Sequence, residues 1–221
     1  MPMDVARRYR WIYKPLVFLA CLVPWAWTVA AAIGLQLPAP FGIPGLGPDP
    51  ARRMLGILGH TALNLLLLTL AVSPARVLSG NAHLLRLRRM LGVFAFVYAL
   101  LHFLVYVGAI QGFDGRAIYA DIYKRPYITL GATALVALLA LAATSTNGMM
   151  RRLGRAWQKL HRLVYLAAVL GVWHYWWQVK KDIREPLVYA ALLAALLGWR
   201  LWRRGARATS RSAPPTAPGT A

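Results

Sequence analysis

The sequence holds one cysteine and six acidic residues in 221 positions. A single thiol, Cys21, excludes an intrachain disulfide and a metal cage built on thiolates, and it says nothing about redox compartment. Charged residues make up 14% of the chain and hydrophobic residues 59%. A soluble domain carries roughly a quarter charged residues, so this composition points to a membrane protein. The few acids also avoid the apolar runs entirely. That argues against proton-coupled transport built on intramembrane carboxylates.

What the chain does have is long apolar stretches and basic clusters between them. Six stretches read as membrane spans: residues 16–35, 54–72, 90–110, 127–143, 160–178 and 186–202. Each approaches the ~20 residues needed to cross ~30 Å of hydrocarbon as a helix. Helices are the open-ended solution there, because backbone polar groups must pair within the segment. The expected fold is all-α, a six-transmembrane-helix bundle over residues 15–204. A basic N-terminus precedes it at 1–14, and a disordered tail follows at 205–221. The first stretch is too long for the apolar core of a signal peptide and reads as a retained helix, kinked at Pro24. The Gly/Pro-rich segment 36–50 reads as a turn-rich connector. No internal repeat is strong enough to use.

The net charge of +20 could indicate nucleic-acid binding, but the Lys and Arg residues cluster at alternate ends of the spans instead. One side collects 18 of them and the other 8. The richer side is expected to be cytoplasmic, with both termini inside and anionic lipid against it. Asp49, Asp114, Asp121, Asp182 and Glu185 all fall on the other side, which is near neutral and open to a soluble partner.

Histidine is the remaining intramembrane chemistry. His102 lies 12 residues past Met90, about 18 Å along its span, and His174 lies 14 residues past Leu160, about 21 Å along its own. Both spans run in the same direction, so the two rings share a depth. Two imidazoles at one depth on separate helices can be the axial ligands of one haem iron. The competing reading is a pair of interhelical hydrogen bonds, the commoner fate of a lone membrane histidine. His161 precedes His174 by 13 residues. That gap suits two stacked cofactors, or one cofactor and an entry point. An ideal helix would rotate the two rings apart by about 220°, however. At the level where a partner for His161 would sit stand Arg88 and Arg89, which could neutralise haem propionates. His60 is a rival ligand, and His83 reads as a solvated loop residue. The aromatic groups Trp173, Tyr175, Trp176 and Trp177 at one end, and Trp11, Trp157, Trp199 and Trp202 at the other, read as interfacial belts.

Four segments resemble the MsrQ (YedZ) family: LRLRRMLGVFAFVYALLHFLVYVG at 85–108, DIYKRPYITLG at 121–131, ATSTNGMMRRLGRAWQKLHRLVY at 143–165, and HYWWQV at 174–179. The likeness covers residues 10–203. It implies a ferric-reductase-like transmembrane domain in a bacterial inner membrane, binding haem b through His102, His161 and His174. It implies FMN as well, for which no motif is visible. It also implies a periplasmic molybdopterin methionine sulfoxide reductase, MsrP-like, as electron acceptor, with a cytoplasmic flavin reductase or quinone as donor. Sulfoxide reduction needs two electrons and haem passes one, so substrate turnover is expected on the partner. The alternatives are a ferric or quinone reductase-type cytochrome b, and a haem-free transporter or membrane anchor.

Overall fold

The computed structural model describes residues 5–35, 46–179 and 182–212, and every regular element among them is helical. The ten α-helices are α1 Val5–Arg8, α2 Lys14–Ala32, α3 Pro50–Ser79, α4 Leu85–Val105, α5 Gly115–Lys124, α6 Pro126–Ala143, α7 Asn147–Leu153, α8 Arg155–Leu160, α9 Leu163–Gln178 and α10 Arg184–Ser212. A π-helical turn, Tyr9–Tyr13, joins α1 to α2, and a second, Tyr106–Ile110, extends α4.

The boundaries follow local chemistry. Asp49 caps α3 by accepting from the Arg52 amide, and Pro50 occupies the first turn, where its missing N–H costs nothing. Gly80 ends α3 at φ 68°, a left-handed conformation that glycine takes without a Cβ penalty. Pro126 opens α6 in the same way as Pro50 opens α3. Asp114 caps α5 through the Arg116 and Ala117 amides.

Four helical stretches among the described residues are long and apolar enough to cross a membrane: Trp11–Ala32, Pro50–Ser79, Ala82–Ile110 and Pro126–Ala143. They contain the second, third and fourth expected spans and the first up to Ala32. The fifth expected span differs. The helix there has 16 residues and begins at Leu163, because the chain turns at His161 and Arg162. The sixth lies within the 29-residue α10, which continues to Ser212. Helix therefore occupies the first part of the tail expected from position 205, and residues 213–221 lie outside the described residues. The connector expected at 36–50 is described only from position 46, where its final residues cap α3.

The core is built on two helix pairs. Helix α3 packs along α4, and α6 packs along α9, while α10 leans on both α3 and α9. Leu58, Leu66, Ala95, Ala167 and Ala168 meet at the centre, the three alanines at 9% exposure or far less. Small side chains there let the backbones approach closely, which is how helices associate when lipid removes the hydrophobic drive between them.

Helix α2 packs on α3 and α4, with Phe18 against Phe94 at 5.2 Å, and one buried side chain bonds to its backbone. Tyr98 is 1% exposed, and its hydroxyl donates to the Cys21 carbonyl at 2.6 Å and accepts from the Trp25 amide at 3.0 Å. An ideal helix would join those two backbone groups directly. Pro24, between them, lacks an N–H and crowds the preceding turn, and the phenol enters the opening. Tyr98→Phe should therefore lower stability by about 1–3 kcal/mol, the cost of stranding buried polar groups. Thermal unfolding in detergent checks this, with Tyr119→Phe at a 76% exposed position as the unchanged control.

Candidate functional site

A cavity of about 600 Å³ opens between the two helix pairs. That volume falls within the range of about 300–1,000 Å³ typical of small-molecule and cofactor pockets. Its walls are mostly Leu, Ala, Ile and Gly residues, the greater part from α3, α4, α6 and α9. Its mouth is polar: Gln111 donates to Asp121 at 2.6 Å, Tyr106 donates to the same carboxylate at 3.2 Å, and Arg125 pairs with Asp121 at 3.4 Å.

His102 and His174 face each other across this cavity. Their ring centroids are 6.2 Å apart and their planes are at 88°. The Nδ1 of His102 donates to the Leu55 carbonyl at 2.8 Å, and the Nδ1 of His174 donates to the Tyr127 carbonyl at 2.6 Å. A carbonyl only accepts, so each bond places the ring proton on Nδ1 and leaves a lone pair on Nε2. Neither Nε2 makes a hydrogen bond among the described residues. This is how a metal-binding imidazole is normally held, with one nitrogen anchored and the other free.

The close approach needs glycine. A Cβ on Gly59 would lie 2.9 Å from the His102 Nδ1, and a Cβ on Gly131 would lie 2.9 Å from the His174 Nδ1. Gly59 stands one helical turn after Leu55, and Gly131 one turn after Tyr127. A side chain at either position would cover the carbonyl that the imidazole reaches.

These contacts reveal an internal repeat, where the sequence pattern offers none strong enough to use. Positions 55, 59 and 102 recur at 127, 131 and 174, a constant shift of 72 (102 to 174). At that shift LGHTAL at 58–63 lies on LGATAL at 130–135, without a gap. Self-comparison at fixed offset would have found it, and with it Gly59 and Gly131, which carry no chemistry of their own and so attract no attention singly.

The remaining histidines are placed differently. The first copy holds Arg89 where the second holds His161. His161 caps α8 rather than lying on α9, so the 220° rotation expected of one continuous helix does not apply. Its ring stacks on Trp157 at 3.8 Å, its Nδ1 donates to the Trp157 carbonyl at 3.1 Å, and its Nε2 is buried with no hydrogen-bond partner. Trp157, read from sequence as an interfacial belt residue, donates its indole N–H to the Thr144 carbonyl and forms the stacking face for His161. Arg89 donates to the Asn147 side chain at 2.5 Å. His60 lines the same cavity but has partners of its own: its ring meets the edge of Tyr175 at 4.9 Å, its Nδ1 donates to the Gly56 carbonyl, and Glu185 lies 3.8 Å from Nε2. Ala132 occupies its place in the second copy. His83 is half-buried and stacks on Tyr9 at 5.6 Å, where the sequence reading expected a solvated loop residue.

The pair fits a haem. With about 2 Å for each metal–imidazole bond and about 1.1 Å from nitrogen to ring centre, two imidazoles on opposite sides of one ion have centroids about 6 Å apart. The described residues contain no group of three or more His, Cys, Asp or Glu side chains able to hold a metal. A porphyrin, which brings four ligands of its own, needs only the two axial nitrogens that this cavity offers.

Comparison with known proteins gives the family. The profile of the family described as "Ferric reductase like transmembrane component" matches residues 55–172, which cover most of both helix pairs. A protein of Xanthomonas campestris pv. campestris (strain 8004), "Protein-methionine-sulfoxide reductase heme-binding subunit MsrQ", is 52% identical over 180 residues, covering 80% of this chain and 82% of its own. Proteins of the same name from Xanthomonas axonopodis pv. citri (strain 306) and Rhodospirillum rubrum are 47% and 49% identical, over 92% and 90% of this chain and 94% and 91% of theirs. With its paired glycine-backed histidines and this likeness along most of its length, the chain belongs to the MsrQ family of ferric-reductase-like transmembrane proteins.

Proposed function

We propose that this chain is the haem-binding membrane subunit of a protein-methionine-sulfoxide reductase system and carries electrons across the bilayer to a reductase partner. The observation that carries the reading is the His102–His174 pair, with centroids 6.2 Å apart and each Nδ1 tied to a neighbouring helix. The relatives' names supply the system: each is a heme-binding subunit of protein-methionine-sulfoxide reductase.

A b-type haem bound here supplies reversible one-electron chemistry at iron. The chain's own residues hold and orient it. His102 and His174 present neutral Nε2 lone pairs, and Leu55 and Tyr127 keep those rings from turning through their carbonyls. Such anchoring raises ligand basicity and fixes ring orientation. The apolar walls from Leu63, Leu66 and Leu138 exclude water and lower the local dielectric. His161, with its buried and unpartnered Nε2, offers a third ligand nitrogen nearer the basic end. Two sites at different depths would divide the crossing into shorter steps.

The finer assignments extend this reading. The basic end, with 18 of the 26 Lys and Arg, faces the cytoplasm of a bacterial inner membrane, so both termini are inside. A cytoplasmic flavin reductase or the quinone pool donates electrons, and FMN is a further cofactor. The acceptor is a periplasmic MsrP-like molybdoenzyme that docks on the near-neutral outer end, beside the mouth of the histidine cavity. Methionine sulfoxide is reduced there, by two electrons delivered singly.

Purified protein should show a reduced b-type spectrum, and His102→Ala and His174→Ala should each abolish the share of haem held by that pair. A full pyridine-haemochrome titre in both variants would defeat the proposal. His60→Ala should keep its haem. Gly131→Ala, which forces the His174 ring from its carbonyl anchor, should weaken haem retention by about 10–100-fold, the usual cost of losing a ligand's outer hydrogen bond. Competition with apomyoglobin measures that loss. His161→Ala should lower the haem titre while leaving the spectrum of the His102–His174 site intact.

A further inference from the structure

A second cavity lies at the basic end, between the last turns of α3, the start of α9 and the far part of α10, with a volume of about 230 Å³. It is separate from the histidine cavity and shares no lining residue with it. Its lining includes three arginines, Arg76, Arg200 and Arg203, and no acidic residue. Two of the guanidiniums are held in place by aromatic faces: Arg200 lies 4.5 Å over Tyr165, and Arg203 lies 6.0 Å over Trp199. The Nη1 of Arg203 is buried and has no hydrogen-bond partner. The Ser73 hydroxyl, on the same wall, makes no hydrogen bond among the described residues.

A buried guanidinium nitrogen without an acceptor is costly, and the cost is removed when an anion enters. Three arginines converging on one space favour a phosphate over a carboxylate, because a phosphate offers several acceptor oxygens to several donors. We infer that this cavity binds a phosphate ester, and that its source is the headgroup of an anionic phospholipid. The position supports that source. The cavity opens where the apolar parts of α3 and α10 give way to their arginines, the level at which headgroups lie. Trp199 and Trp202, with ring centroids 5.5 Å apart and planes tilted by 54°, belong to the same interfacial layer. A lipid held there would join α10 to the α3 and α9 helices through one shared anion.

The test is lipid binding by the full-length protein, followed by native mass spectrometry during titration with phosphatidylglycerol, with phosphatidylcholine as the neutral reference. Arg76→Gln, Arg200→Gln and Arg203→Gln together should weaken phosphatidylglycerol binding by on the order of a hundredfold, about fivefold for each charge. Arg203→Gln alone should give about fivefold, and provides a measurement if the triple variant folds poorly. Arg151→Gln, Arg152→Gln and Arg155→Gln together remove three exposed charges from the same end of the molecule and should leave binding unchanged. A parallel titration with inorganic phosphate and FMN separates the sources. Dependence of either on Arg76, Arg200 and Arg203, with phosphatidylglycerol unaffected, keeps the phosphate site and reassigns its occupant to a soluble ester. Equal loss in the two triple variants reduces the effect to diffuse surface charge and overturns the site. Undiminished binding of every probe in the cavity variants overturns it as well.

Discussion

The bond from an imidazole Nδ1–H to the backbone carbonyl of the neighbouring helix is the constraint from which the rest of this structure follows. It occurs twice, from His102 to Leu55 and from His174 to Tyr127. Each bond sets the tautomer, aims the lone pair of Nε2 into the cavity, and requires a glycine one turn along so that the ring can lie against the backbone. In lipid there is no water to compete for that carbonyl, so the bond serves as both a helix–helix contact and a support for a ligand. One interaction thus specifies the packing of α3 against α4, the packing of α6 against α9, and the state of the site between them.

The duplication explains why the cavity lies where it does. Two helix pairs built to one plan, each with a glycine-backed histidine at the same depth, bring their imidazole rings to 6.2 Å across the seam where they meet. The copies diverge where symmetry is not needed. His60 has Ala132 as its counterpart and turns to Tyr175 and Glu185, joining the α3, α9 and α10 layer. Arg89 has His161 as its counterpart, so the basic end is asymmetric: on one side a cation bonded to Asn147, on the other an imidazole stacked on Trp157. The histidines farther from the basic end are a matched pair, and the basic end offers one imidazole nitrogen only.

The two ends of the bundle carry different electrostatics, and each suits a different neighbour. Arginines concentrated at one end suit anionic headgroups, and two of them are held against Tyr165 and Trp199 by cation–π contact. At the other end Arg125, Asp121, Gln111 and Tyr106 form a compensated network at the mouth of the histidine cavity. A balanced surface lets a protein partner approach without strong repulsion, and brings it within reach of the apolar pocket behind.

Sequence alone determined the membrane class, the all-helical architecture, the first four spans and the shared depth of His102 and His174, because each rests on hydropathy, length or spacing along one chain. Pro24 as a breach in α2 was legible for the same reason, but Tyr98 as its filler was not, since the two are 73 or more residues apart and meet only in the fold. Gly59 and Gly131 were invisible singly because their role is to lack a side chain where another helix approaches. The turn at His161, which separates it from the α9 helix, was hidden inside a hydrophobic stretch that reads as continuous. Spacing sets how deep a residue lies; which carbonyl its ring reaches, and what lies across from it, depends on how the helices rotate and pack, and only the tertiary structure decides that.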